Sequence, residues 1–119
     1  CELLTVDVTT LDDYFLDHSA RPVSFIKCDV EGHEYHVFQG ASEILEKDQP
    51  DILFECLSPE DPSCEVFSSL HEHGYESFCF LGNGFVPIVR YSEVKSRLHR
   101  KALLNFVAVP RDRAHLLTP

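Results

Sequence analysis

Short apolar runs alternate with amphipathic stretches along this chain, and that alternation restricts its fold more than any other feature. Val23 to Asp29 holds Val23, Phe25, Ile26 and Cys28, and Asp51 to Leu57, Tyr75 to Leu81 and Leu103 to Val109 are comparable runs. Such near-continuous apolar runs suit strands covered on both faces. After the first run, Val37, Phe38, Ala41, Ile44 and Leu45 fall on one stripe at helical spacing, which predicts a helix from His33 to Lys47. Strands that alternate with helices signal parallel βαβ units. The expected order is strand, helix, strand, helix, strand, helix, strand, hairpin-like excursion, strand.

Local signals fill in this outline. Leu3 to Val8 reads as a short strand, and Thr9, Thr10 and Asp12 are N-cap candidates for a helix ending near Asp17. His18 to Pro22 reads as a loop. Gly40 lies inside the next predicted helix, where glycine costs up to about 1 kcal/mol relative to alanine; close packing against a neighbour would explain it. Asp61-Pro62 places a cap before a proline at the first helical position. Gly74 suits a left-handed helix end, and Gly82-Asn83-Gly84 a turn into a partner strand or loop over Phe85 to Arg90. Ser92 to Arg100 reads as helical, and Pro110 stops the last strand before a loose tail.

The chain has 119 residues, enough for one domain. Its 20 acidic and 10 basic side chains give a net charge of −10, which argues against a nucleic acid bound through its phosphates. No apolar run is long enough for a transmembrane helix. The five cysteines are odd in number and contain no CxxC pair, so neither a zinc site nor a secreted disulfide framework is expected. Cys28, Cys56 and Cys79 lie in apolar runs and read as core thiols of a reducing compartment, hence a cytoplasmic location. Lys95, Arg97, Arg100 and Lys101 form a basic cluster that reads as a solvated helix face near an acidic body, with an anion contact as the alternative. The chain has no methionine and opens on Cys1, so it is expected to be a segment of a longer protein.

Candidate chemistry gathers where the strands end, because ligands of open parallel sheets bind beyond the carboxyl ends of their strands. Asp29 closes one run and Glu55 lies near the end of the next. Neighbouring strands would bring the two carboxylates to one pocket, as a general base, a hydroxyl ligand or a cation site. Asp29-Val30-Glu31-Gly32-His33-Glu34 is the densest polar stretch, with Gly32 allowing a tight turn into the helix. Asp29 and Glu31 read as functional, Glu34 as a helix-start cap, and His33 as either a base or a polar helix start. Lys27 could pair with one of the carboxylates. His71 and His73 do not read as a metal pair, because residues two apart on a helix face different ways. No nucleophile elbow, P-loop or dinucleotide fingerprint occurs.

Thr10-Leu11-Asp12-Asp13, then Phe25 to Glu34, Val37-Phe38-Gln39-Gly40-Ala41, Pro50 to Glu55, Gly74-Tyr75 and Asn105 to Pro110 form a series in order and spacing. This series resembles the C-terminal half of the FkbM family of S-adenosylmethionine-dependent methyltransferases. Cys28 departs mildly from the family pattern, which has an aliphatic residue there. The resemblance implies the C-terminal portion of a Rossmann-like class I methyltransferase fold, with a mostly parallel sheet and an antiparallel final strand beside the one near Glu55. It implies a partial domain over residues 1–110 and a tail over 111–119. It also implies O-methylation of a hydroxyl on a sugar or small metabolite, with Asp29, Glu31, His33 and Glu55 as catalytic candidates. No metal is implied. The family's donor-binding elements have no counterpart here, so S-adenosylmethionine would be held through an N-terminal half upstream, and cofactor-binding residues are not assigned. A small-molecule or glycan acceptor is the expected partner, with self-association through an exposed sheet edge. Two other readings stand beside this one: a truncated, non-catalytic binding module acting through that edge or its acidic surface, and a phosphoacceptor or phosphatase-like domain using Asp29. The lack of a companion acidic cluster on an earlier strand counts against the last.

Overall fold

One carboxylate, Asp12, stitches the first third of the chain together in the computed structural model, which describes residues 2–16, 20–98 and 104–118. The first helix, α1 (Leu11–Phe15), is capped by the Thr10 hydroxyl, which accepts from the Asp13 N–H at 3.0 Å. Asp12 instead accepts from the N–H groups of Glu43 and Ile44 at 3.0 and 3.1 Å and so caps a different helix. The expected His33–Lys47 helix is therefore two helices, α2 (Glu34–Gln39) and α3 (Ser42–Lys47). The break falls at Gly40, whose carbonyl accepts from the Asp12 N–H at 2.9 Å. A Cβ on Gly40 would lie 2.9 Å from Thr10 Cβ, so close packing does account for this glycine.

Five described strands form one sheet: β1 (Phe25–Cys28), β2 (Asp51–Glu55), β3 (Tyr75–Phe80), β4 (Phe85–Pro87) and β5 (Asn105–Pro110). Their order is β1-β2-β5-β3-β4. The mostly parallel sheet expected from the sequence is corrected: β1–β2 is parallel, while β2–β5, β5–β3 and β3–β4 are antiparallel. The reason is topological. The strands β1, β2 and β3 do run in one direction, but β5 inserts between β2 and β3 running against both. It lies antiparallel beside β2, as the resemblance implied.

Every second strand residue enters one core. Ile26 and Cys28, Ile52 and Phe54, Phe106 and Ala108, and Tyr75 and Cys79 share a face, on which Phe38, Ala41, Leu45, Val66, Leu70, Tyr91 and Val94 pack. Phe54 and Phe106 meet with ring centres 5.9 Å apart, and Phe106 lies 5.7 Å from Tyr91. Coverage of β1 on both faces is not found: Phe25 is 57% exposed and Lys27 is exposed. The packed helices α2 to α5 lie on the core face, which leaves the other side of β1 bare. Leu3 to Val8 forms no strand among the described residues and is exposed throughout.

Other ends behave as their local chemistry requires. Asp48 takes two bonds from the Arg21 guanidinium and one from the Val23 N–H, tying the end of α3 to the start of β1. The Arg21 bond holds the Asp48 carboxyl below its usual range. Asp61 caps no helix; it accepts from Ser63 within a turn, and α4 (Val66–Glu72) begins later. Gly74 ends α4 at φ +88°, the left-handed conformation expected. The segment after β4 forms a 3₁₀ turn over Ile88–Arg90, helix α5 (Tyr91–Val94) and a second turn over Lys95–Arg97. Lys95 pairs with Glu60 at 2.8 Å, whereas Arg100 and Lys101 lie outside the described residues, as do Cys1, Asp17, His18 and Leu103. The expected loose tail is anchored: Arg111–Leu116 is a 3₁₀ segment whose Arg113 donates to Asp51 and to the Gln49 carbonyl.

The double cap yields a stability prediction. Asp12→Ala is expected to lower the unfolding free energy by about 1–2 kcal/mol, read as a shift of the urea midpoint with unchanged slope. An unshifted midpoint would show that Asp12 does not hold α3 in place.

Candidate functional site at the strand ends

The segment Asp29 to Gly32 leaves β1 and turns sharply into α2. Glu31 and Gly32 both adopt the left-handed conformation, at φ +52° and +103°. Glycine takes this without cost, but Glu31 does not. What holds the turn is the buried Glu34, whose carboxylate accepts from the Val30 N–H at 3.1 Å and from the Gly32 N–H at 3.1 Å. Glu34 thus serves the backbone, in line with its reading as a structural residue, though it fastens the preceding turn and His33 holds the N-cap position.

The parallel register that sets Cys28 beside Phe54 brings Asp29 alongside Glu55. The two carboxyl groups share a hydrogen bond. Loss of water, the Asp29 charge and that bond together hold Glu55 above the usual carboxylate range. Glu31 and Glu34 add smaller contributions of the same sign. Beneath the pair, burial and the Glu34 and Asp29 charges push the Cys28 thiol up to about 11. Cys28, Cys56 and Cys79 are all buried, as expected of core thiols.

Two grooves flank this turn. The first, about 470 Å³, is lined by Gly32, Glu34 and Tyr35 on one side and by Cys56, Ser58 and Cys64 on the other. The second, about 630 Å³ and largely apolar, is lined by Val8, Thr10, Tyr14, His33, His36 and Val37. Of the four residues singled out from the sequence, Asp29 and Glu55 come together and Glu31 sits on the same turn. His33 lines the second groove instead, its ring 5.9 Å from that of His36. His36 was missed by sequence reasoning, although a histidine three residues after His33 at a helix start is the spacing that brings two rings together. Lys27 makes no ion pair among the described residues. His71 and His73 have separate partners, Arg111 and the Ser69 carbonyl.

Carboxylates gathered at the C-terminal ends of adjacent parallel strands, in a mixed α/β domain, make the strand ends the candidate site of this α/β protein. The family model described as Methyltransferase FkbM domain matches residues 2–77, and the chain belongs to that methyltransferase family. No curated protein and no solved structure matches it significantly. No described helix is long and apolar enough to cross a membrane.

The raised Glu55 carboxyl makes a prediction about pH. A group held above its unfolded pKa contributes stability that is full below the unfolded value and is lost as pH rises through the folded one. Glu55 is expected to titrate above an ordinary glutamate in a carboxyl-carbon NMR titration. In Asp29→Asn it should move back down, though not fully, because desolvation is the largest cause. A Glu55 titration insensitive to that substitution would separate the two groups.

Proposed function

We propose that the protein to which this chain belongs transfers a methyl group from S-adenosylmethionine to a hydroxyl on a sugar or small metabolite. This chain supplies the acceptor side of the site. The observation that carries the reading is the Asp29–Glu55 carboxyl pair at the strand ends within the family-matched segment. Methyl transfer to a hydroxyl releases that hydroxyl's proton, and Asp29, set beside Glu55 at the strand ends, is the group suited to receive it. Glu31, held on the same turn, is suited to orient the acceptor by a hydrogen bond.

The described residues do not by themselves fit the methyl donor. The N–H groups of Val30 and Gly32, which could hold an anionic group at the strand end, are already taken by Glu34. The donor's contacts are therefore assigned to residues other than the described ones. Asp29→Asn in the full-length protein is expected to lower turnover by at least about 100-fold while leaving donor affinity and melting temperature unchanged. Wild-type turnover in that variant would remove Asp29 from the mechanism.

A second reading, a non-catalytic binding module, draws on the outer edge of β1, which pairs with no further strand among the described residues, and on the exposed Leu3, Leu4, Val6 and Val8. An unpaired strand edge is a template for association. Calorimetric titration with S-adenosylmethionine separates the two readings. Binding by an upstream-extended chain but not by this one supports the methyltransferase, whereas binding by neither supports the module. In the module case, sedimentation velocity should show concentration-dependent self-association that Phe25→Lys suppresses.

A further inference from the structure

The wall of the first groove holds a thiol pair. Cys56 Sγ and Cys64 Sγ lie 3.4 Å apart. Cys56 immediately follows Glu55 and is fixed to the sheet by its N–H, which donates to the Leu104 carbonyl at 2.9 Å. Cys64 is fixed by the turn that precedes it: the Asp61 N–H donates to the Ser58 carbonyl, and the Cys64 N–H donates to the Asp61 carbonyl at 2.9 Å. Asp61 tightens that turn further through the Ser63 N–H and hydroxyl. The two sulfurs are thus held together by backbone bonds made by their own segments, and much of the entropy of closing the loop is already spent. A disulfide needs the sulfurs at about 2.05 Å, so from 3.4 Å they must draw closer. Cys56 is buried and Cys64 only partly so, which leaves Cys64 the one open to reagents in the groove.

We propose that Cys56 and Cys64 form a reversible intramolecular disulfide that closes the intervening segment into a ring and fixes the groove wall beside Glu55. A peroxide is the class of oxidant. It oxidises the Cys64 thiol to a sulfenic acid and leaves as water. The Cys56 sulfur then attacks the sulfenic sulfur, the S–O bond breaks, and the hydroxyl leaves with the Cys56 proton as a second water. Two electrons pass in all from the thiols to the peroxide. A dithiol reverses the step by exchange. The inference does not depend on methyl transfer.

The test treats the chain with hydrogen peroxide, alkylates the remaining thiols after denaturation, and maps the peptides without reduction. The expected product links Cys56 to Cys64 within one chain, disappears with dithiothreitol and returns on a second cycle. Cys28 and Cys79 should be recovered as alkylated thiols. Hydrogen exchange at residues 57–63 should slow in the oxidised form. Cys64→Ser, a near-isosteric change at a partly exposed position, should fold and lose the link. Recovery of both cysteines as free thiols, their irreversible over-oxidation, or links to another cysteine or another chain would overturn the pairing. Unchanged exchange in the linked form would overturn the fixing of the groove wall.

Discussion

The buried Glu34 carboxylate is the contact on which the site depends. Burying an ionised carboxylate costs several kcal/mol unless its lone pairs are used. Here they accept from the N–H groups of Val30 and Gly32, which the left-handed turn at Glu31 and Gly32 would otherwise leave without partners. One side chain thus satisfies its own burial and the backbone of the turn together. The result is that β1 ends at Cys28 and α2 begins at Glu34 with little slack between them. That short connection keeps Asp29 beside Glu55.

The same device recurs through the chain. Asp12 serves the start of α3, Asp48 the start of β1 and Asp61 its own turn, each by accepting from backbone N–H groups. A chain with twice as many acidic as basic residues has thus committed several of its carboxylates to holding backbone. The strongly negative composition is in part a record of caps rather than of a charged binding surface. The acids at Asp29 and Glu55 differ because their nearest charged partner is another carboxyl group.

What could be read from the sequence was whatever local spacing determines. The strands β1, β2, β3 and β5 lie where the apolar runs placed them, and Gly40 and Gly74 act as their chemistry implied. The meeting of Asp29 and Glu55 followed from strand adjacency. What escaped was set by distant partners. The break between α2 and α3 comes from Thr10 and Asp12, some thirty residues upstream. The predominance of antiparallel pairs comes from a strand fifty residues beyond β2. The exposure of β1 depends on which face the helices choose, and a buried-looking run such as Val23 to Cys28 carries no mark of that choice. His33 was placed with the carboxylates because it follows the turn, but from the N-cap of α2 it lines the groove shared with His36.

The position of β5 has a consequence for how the molecule comes into being. The last of the described strands in chain order is the middle one of the sheet, bonded on one side to β2 and on the other to β3. Until Pro110 has left the ribosome, β1–β2 and β3–β4 are two separate pairs with Phe54 and Cys79 uncovered along their inner edges. The core therefore closes as a late, long-range event. A nascent chain halted short of β5 would present two sticky ribbons to the cell in place of a domain.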